Sequence, residues 1–458
     1  MASRTADALP LRGGVKSIDC GPIRLPGRPL LCAHERHYRL ETFLSRVDGE
    51  TSTESRLMGK LGTRRHNHGW ALASACLLML SAALLPSRAA AAEVGPEGSI
   101  ASVEVHGFAS QGFILTLRND YLAEKTTHGS FEFSEIGINF TKSLTDSLRF
   151  GVQLFAQDLG PTGNYNAKVD WFYADYRWQD WIGLRVGRLK IPYGFHNEIQ
   201  DVDAARVPVL LPQSVYPLQS RELLFAQTGV ELYGFARSRS LGALDYRAFL
   251  GTIFLDAASL TPPGSTFDLA FHVPYVAGGR LIWETPLEGL RVGGSVETVR
   301  LDTTAFVPGI DPIVIKNKSW AWVASAEYSI AEAVFTAEYS RWSGKQTSSA
   351  PALSPPIDDV SERGYLMATY RMNSWFQPGA YYSVLFPDVE QRKGREKRQY
   401  DVAATLRFDV NNYWLVKLEG HYMAGTAGLL NPLRINPPDI SKAAKYWGAF
   451  FIKTTARF

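Results

Sequence analysis

The final thirteen residues, Tyr446-Trp-Gly-Ala-Phe-Phe-Ile-Lys-Thr-Thr-Ala-Arg-Phe458, alternate between two kinds of side chain. The residues that share the parity of Phe458 are mostly apolar, whereas the opposite parity contains Lys453 and Arg457. Successive side chains of a β-strand point to opposite faces. The pattern therefore predicts an amphipathic strand over 446–458 that ends in an aromatic residue.

Similar segments recur from Ser102 onward, each bounded by Gly, Pro, Asn, Asp or Ser, which is the signal of repeated strands. Within 147–158, Leu148 and Phe150 share one face, while Arg149 and Gln153 share the other. A polar second face fits a water-filled barrel better than a packed sandwich. The sequence predicts sixteen strands, at 102–117, 131–142, 147–158, 167–178, 181–191, 228–238, 243–254, 273–285, 290–301, 319–329, 332–342, 363–372, 376–386, 398–409, 413–424 and 446–458.

The predicted connections alternate in length. Every second one is short, and the seven short ones lie at 143–146, 179–180, 239–242, 286–289, 330–331, 373–375 and 410–412. The others are mostly long, for example 255–272, 343–362 and 425–445. Outer-membrane barrels have short periplasmic turns and longer external loops, whereas a soluble sandwich has no reason for this asymmetry. The predicted fold class is therefore all-β, a sixteen-stranded antiparallel transmembrane β-barrel.

Residues 1–92 form a different kind of sequence. Arg64 and Arg65 precede an apolar run over 70–85, which four alanines, 89–92, follow after a short break. This is the layout of a secretory signal peptide, and the run of about fifteen residues is short for the alternative, a membrane anchor. We predict a disordered leader or a start-site artefact at 1–57, a signal peptide at 58–92 and the barrel at 93–458.

Removal of residues 1–92 changes the charge and the cysteine content of the chain. Of 48 basic and 45 acidic residues, 13 and 7 lie in this part, so 35 basic and 38 acidic residues remain and give a formal charge of −3. Bulk charge therefore gives no support to nucleic-acid binding. All three cysteines, Cys20, Cys32 and Cys76, are also removed, which excludes disulfides, thiol catalysis and cysteine-ligated metals from the mature chain.

The connection between the fifth and sixth predicted strands is long and carries mixed charges. Pro208, Pro212 and Pro217 argue against a strand or a long helix there. A connection of this length without regular structure is usually functional or disordered. Its charged residues are Glu198, Asp201, Asp203, Arg206, Arg221 and Glu222.

Four stretches around this connection carry a family resemblance. They are GRLKIPYG at 187–194, FHNEIQDVDAAR at 195–206, SRE at 220–222 and TGVELYG at 228–234. With the strand number, the loop asymmetry and the terminal Phe458, they make the mature chain resemble the bacterial porin families that include phosphate-selective porins. The resemblance implies a homotrimer, an inward-folded third external loop whose segment 195–226 forms a constriction, and a terminal Phe458 that the barrel-insertion machinery reads.

An inward-folded loop would bring its charges opposite the barrel wall. The candidate constriction residues are Glu198, Asp201, Asp203, Arg206, Arg221 and Glu222, and the candidate wall residues are Arg149, Arg185 and Arg188. Opposed charges in a constriction filter solutes by size and charge. In the alternative, the loop covers the mouth of the barrel and its charges are solvated.

The function predicted on these grounds is passive diffusion of small hydrophilic solutes or ions through an outer-membrane porin. An anion- or phosphate-selective porin is the first alternative, although four acids against two arginines depart from a strongly basic filter. A non-conducting adhesin and a barrel hydrolase are the others. The histidines of residues 93–458 are scattered, and no GxSxG, HExxH or P-loop motif has the required context, so we predict no enzyme, no metal and no cofactor.

The predicted location is the bacterial outer membrane. The expected partners are the permeating solutes or ions, outer-membrane lipid and lipopolysaccharide, and the barrel-assembly machinery. The basic run 392–398 could recruit anions or bridge lipopolysaccharide phosphates, and a solvated loop is the ordinary explanation of such a run.

Overall fold

The structure is a computed structural model that describes residues 92–94, 102–160, 163–257, 267–429 and 442–458. The predicted leader at 1–57 and the predicted signal peptide, apart from Ala92, lie outside these residues. Both stay predictions. Among the described residues, no helix combines the length and the apolar character needed to cross a membrane.

Sixteen antiparallel strands close into a barrel. Strand β17 pairs with β2 from Gly448 opposite Leu117 to Arg457 opposite Phe108, so every strand from β2 to β17 has two neighbours and the ring has no free edge. A short strand, β1 (Ala92–Val94), pairs with the start of β2. The strands of the ring are β2 (Val103–Leu117), β3 (Ser134–Ser143), β4 (Leu148–Asp158), β5 (Lys168–Gln179), β6 (Ile182–Lys190), β7 (Ala226–Ser238), β8 (Gly242–Thr252), β9 (Asp268–Glu284), β10 (Leu290–Phe306), β11 (Ile313–Ile330), β12 (Ala333–Ser348), β13 (Ile357–Tyr370), β14 (Phe376–Phe386), β15 (Gln399–Asn411), β16 (Trp414–Gly425) and β17 (Tyr446–Arg457).

The predicted number and order of strands are confirmed, but five predicted boundaries are wrong. Strands β9 to β13 extend five or six residues further toward the long connections than the sequence pattern predicts. In β11, for example, the outward positions beyond Trp320 are Lys318 and Lys316. Backbone hydrogen bonds continue through such charged stretches, because the ladder does not depend on which side chains it carries. The apolar alternation ends earlier than the strand.

The two faces of the barrel differ as the alternation predicts. In β16, the buried positions include Lys417, Glu419 and His421, whereas the intervening positions are apolar or aromatic and include Tyr422, which is 59% exposed. In β17, the buried parity contains Lys453, and Phe458 has the opposite parity. Large apolar side chains are exposed on the outer face of many other strands. An apolar outer band around a polar interior is the arrangement of a membrane barrel.

Short and long connections alternate around the ring. The seven short ones, 144–147, 180–181, 239–241, 285–289, 331–332, 371–375 and 412–413, all lie at one end, which we call the short-turn end. The connection 191–225 joins β6 to β7 at the opposite end and is the third long one along the chain. We call it the connecting segment. The predicted segment 195–226 corresponds to it within a few residues.

Candidate functional site

The connecting segment contains only short pieces of helix. They are 3-10 turns at Asn197–Ile199, Asp203–Ala205 and Leu218–Ser220 and one α-helical turn at Arg221–Leu224. The prolines between them prevent a longer helix, because proline has no N–H group and its ring clashes with the preceding turn. Most of the segment is nevertheless buried. Its backbone and charged groups therefore need partners elsewhere in the barrel.

Glu338 in β12 fixes both halves of the connecting segment. Its carboxylate accepts hydrogen bonds from the backbone N–H of Phe195 at 2.9 Å and from the Tyr216 hydroxyl. It also accepts from the hydroxyls of Tyr365 at 2.7 Å and Ser325 at 2.5 Å. None of these donors is a cation. The carboxylate thus joins two distant parts of the segment to the wall through neutral donors.

Glu198 lies in a group of alternating charges contributed by β6 to β9. Its carboxylate is 2.7 Å from Arg280 and 2.5 Å from Arg247. Arg185, one of the predicted wall residues, lies 3.0 Å from Glu231 in the same group and 3.1 Å from Asp175. Burial alone would raise the pKa of Glu198, but Arg247 and Arg280 hold that pKa below its ordinary value. Glu198 is therefore ionised at neutral pH.

Asp201, Arg221 and Glu222 form a second group with β4, β5 and β6. Asp201 lies 2.9 Å from Lys190, and Arg221 lies 2.8 Å from Asp170 and 3.7 Å from Asp201. Glu222 is 2.5 Å from Lys168. The guanidinium of Arg221 also stacks over the ring of Phe225 at 3.7 Å. Nearby, the predicted wall residue Arg188 donates to the carbonyl of Asp170 at 2.8 Å.

Asp203 and Arg206 meet the strands that close the barrel. Asp203 lies 2.8 Å from Arg206 and 2.9 Å from Lys453, and it accepts a hydrogen bond from Thr455 at 2.7 Å. Lys453 and Arg206 lower the pKa of Asp203 far below its usual range, although burial opposes this. In addition, Lys417 donates to three carbonyls, those of Asp203, Arg206 and Pro208. Arg407 donates to the carbonyls of Ala204 and Arg206.

His421 and its neighbours were not identified from the sequence as part of this site. The imidazole lies between Asp401 and Glu419, with one nitrogen 3.0 Å from each carboxylate. Glu419 also accepts the backbone N–H groups of Val209 at 2.7 Å and Leu210 at 2.9 Å. The alternation of Lys417, Glu419 and His421 on one face of a strand could have indicated this role. Their partners could not be read from spacing.

The predicted constriction residues thus all lie against the wall, and each has an oppositely charged partner. By hydrogen bonds and ion pairs together, the segment contacts twelve of the sixteen strands, namely β4 to β6, β8 to β10 and β12 to β17. Some of these contacts are near the short-turn end, since Lys417 is only three residues from the first residue of β16.

Arg149 differs from the other predicted wall residues, because it is exposed and forms no ion pair with any residue that the structure describes.

Among the described residues, no group of His, Cys, Asp and Glu side chains has the arrangement needed to hold a metal ion. The charged groups of the site have one another as partners. The arrangement provides fixed charges of both signs along a buried polypeptide segment.

The sequence matches no known family model and no curated protein. Solved structures are similar in fold. The outer-membrane expressed OmpT of Vibrio cholerae is 11% identical with a TM-score of 0.50, and the match covers 79% of this chain and 99% of that one. The anion-selective porin from Comamonas acidovorans is 11% identical, with a TM-score of 0.48 and coverage of 78% and 99%. OmpF of Salmonella typhi in a complex with daunomycin is 12% identical, with a TM-score of 0.49 and coverage of 80% and 100%. The likeness to the Vibrio cholerae protein concerns the fold alone. The chain has the fold of a sixteen-stranded outer-membrane barrel.

Proposed function

We propose that the chain is a porin of the bacterial outer membrane that allows small hydrophilic solutes or ions to diffuse passively. In this proposal the connecting segment folds into the lumen and narrows a water-filled channel. The export signal predicted at 58–92 and the homotrimeric state belong to the same proposal.

The observation that carries this proposal is the reach of the connecting segment. Its contacts extend around most of the ring and, at Lys417 and Arg407, come within a few residues of the short-turn ends of the strands. A loop that only covered the mouth would contact the opposite ends. The exposed apolar outer face supports a membrane location, because a water-exposed apolar surface of this extent would promote aggregation.

The charges of the segment support a general channel rather than a strongly anion-selective or phosphate-selective one. Glu198, Asp201, Asp203 and Glu222 each pair with a lysine or an arginine of the wall, so neither sign is in clear excess where the segment meets the wall. Charges of opposite sign that are fixed across a narrow passage favour filtering of solutes by their size and dipole moment. They do not favour selection of ions of one charge sign.

We also propose that the chain is not an enzyme. His421 has two carboxylate neighbours, which is superficially like a catalytic arrangement. Both of its nitrogens are occupied, however, and its side chain has no exposure to solvent. A hydrolase would need an accessible base beside a nucleophile.

The experiment that tests the proposal is planar-bilayer conductance of the refolded residues 93–458 under a salt gradient. Stepwise conductance is the expected result, and steps in groups of three would support a trimer. A correctly folded barrel without conductance would contradict the proposal and favour an adhesin or a hydrolase.

A companion variant tests the role of the connecting segment. Residues 196–220 are replaced by a Gly/Ser linker of equal length, which keeps the loop length but removes most of the contacts with the wall. Larger steps are expected if the segment narrows the channel. Unchanged steps would mean that it lies outside the path of the solute.

A further inference from the structure

One row of the sheet concentrates cations on the outer face of the barrel. Across four neighbouring strands, Arg300 lies directly opposite Lys318, Lys318 opposite Lys345, and Lys345 opposite Asp358. Like charges that are directly opposite on one face destabilise a sheet. Three cations in succession are therefore a feature that strand pairing itself does not explain.

The acids near this row neutralise it only in part. Arg300 has its own partner, because it makes two hydrogen bonds of 3.0 Å to Asp302. Asp358 lies 3.9 Å from Lys345, and both side chains are more than two thirds exposed. An exposed pair at this distance contributes little. Lys318 forms no ion pair with any residue in the described part of the chain, nor does Lys316, the next outward residue of β11. The row thus keeps an excess of positive charge.

The height of the row on the barrel places it at the level of lipid headgroups. The outward residues of β11 from Trp320 to Ile330 are aromatic or apolar and include Trp322. The ten residue steps from Trp320 to Ile330 span about 34 Å along a strand, or about 24 Å of height at a tilt of about 45°, which matches the apolar band of about 25 Å in outer-membrane barrels. Lys318 is the first outward residue beyond this band, on the long-loop side.

A groove lies at this position. It has a volume of about 400 Å³, and its lining includes Thr298, Lys318, Trp320, Ser343, Lys345 and Asp358. Trp320 is 49% exposed and supplies an apolar, amphipathic ring at the boundary of the band. The volume is enough for a sugar-sized group and exceeds what a single small ion requires. Two ammonium groups, hydroxyl groups and an indole ring suit an anionic headgroup attached to an acyl chain.

We infer that this groove binds a membrane lipid whose saccharide headgroup carries a phosphate monoester. Lys318 and Lys345 bind the phosphate, and Trp320 contacts the junction of headgroup and acyl chains. The bound anion also relieves the repulsion between the opposed cations. The inference rests on the outer-membrane location proposed above, because only a lipid of the outer leaflet reaches this height.

The test compares two double variants of the refolded barrel in detergent micelles. K318Q/K345Q removes the two lysines of the groove, and K125Q/K445Q removes two exposed lysines of other long connections. The probes are lipid A with both phosphates, dephosphorylated lipid A and inorganic phosphate. Each lysine near an anionic surface contributes about fivefold to affinity, so K318Q/K345Q should bind lipid A about 25-fold more weakly than the wild type, whereas K125Q/K445Q should equal the wild type.

Thermal unfolding provides a second measurement. Lipid A should raise the Tm of the wild type and leave that of K318Q/K345Q nearly unchanged. Without lipid, the K318Q/K345Q barrel should be at least as stable as the wild type, because a repulsive pair has been removed. Equal binding by the two double variants, equal binding of dephosphorylated lipid A, or complete competition by inorganic phosphate at equal concentration would each overturn the inference.

Lipid binding and conductance are measured separately, so the two proposals can fail separately. A barrel that binds lipid A through the groove but does not conduct would contradict the porin proposal and leave the lipid site in place. A conducting barrel whose two double variants bind lipid A equally would do the opposite.

Discussion

Asp203 in the connecting segment lies 2.9 Å from the ammonium group of Lys453 in β17, the strand that closes the barrel. Both side chains are almost fully buried. Since β17 also pairs with β2, this ion pair joins the segment to the strand at which the ring closes. The final position of the segment is therefore coupled to the closure of the barrel.

Substitution of Asp203 by asparagine should loosen the segment without unfolding the barrel. Lys453 would keep Glu135 as a partner, but Arg206 and Lys417 would lose their nearby carboxylate. Removing one partner of a buried ion pair typically costs about 3–5 kcal/mol, because the remaining charge is left uncompensated. We expect faster amide hydrogen exchange over 203–210 in Asp203→Asn and larger or noisier conductance steps.

Asp180→Asn is the matched control for this change. Asp180 lies in a short turn, its side chain is 89% exposed, and its distance from Arg177 is 3.9 Å. Exposed pairs of this kind contribute about 0–1 kcal/mol, so neither exchange nor conductance should change. If both variants behave alike, the ion pair of Asp203 does not hold the segment.

Much of the barrel could be predicted because one face of each strand is apolar and the connections alternate in length. The ends of β9 to β13 could not, since outward residues such as Lys316 and Lys345 lie in hydrogen-bonded strand that extends beyond the apolar band. Hydrophobic periodicity reports where the apolar band ends. It does not report where the backbone ladder ends.

The position of the connecting segment in the chain could be predicted, but its contacts could not. The prolines and charges marked the segment, and every charged residue chosen in it has an oppositely charged partner. Which wall residue meets which acid depends on the register and shear of the closed ring, which no local pattern encodes. Arg185 and Arg188 illustrate this, because residues three apart on a regular strand lie on opposite faces. Here both arginines donate hydrogen bonds to residues of β5, Arg185 to Asp175 and Arg188 to the carbonyl of Asp170. Gly187 between them has a φ of +140°, which L side chains rarely adopt.

Neutralisation of Arg206 and Arg221 should shift ion selectivity toward cations. Arg206 pairs with Asp203, and Arg221 pairs with Asp170 and Asp201, so their replacement by glutamine leaves these acids with less compensation. In a narrow passage, excess negative charge raises the local concentration of cations. The reversal potential under a salt gradient should therefore move toward the value for cation selectivity in R206Q/R221Q.

The matched control for this measurement is R237Q/R239Q. It also removes two arginines, but both are exposed at the end of β7 and in the adjoining short turn. Screening by salt should make its effect on the reversal potential much smaller. An unchanged reversal potential in R206Q/R221Q would remove these two residues from the selectivity-determining part of the channel.

The stability of the segment should also depend on pH through His196. Neither ring nitrogen of His196 has a hydrogen-bond partner among the described residues, and the ring packs edge-on against Tyr216. Burial lowers the pKa of His196 to about 4, with Arg291 and Arg206 acting in the same direction and Glu327 opposing them. A histidine in the unfolded chain has a pKa of about 6.5.

The sign of the pH effect follows from these two values. Between pH 4 and about 6.5 the unfolded chain binds a proton that the folded chain does not, so stability increases with pH across this window. The contribution is fully present above pH 6.5 and is lost as the pH falls to about 4, which corresponds to roughly 3 kcal/mol.

His196→Phe removes the titrating group and keeps an aromatic ring beside Tyr216. Between pH 7 and pH 4, urea unfolding should therefore show the wild type losing roughly 3 kcal/mol more stability than His196→Phe. His128→Gln, which removes an exposed histidine, should follow the wild type at every pH. Parallel pH profiles for wild type and His196→Phe would show that the buried imidazole already binds its proton in the folded chain.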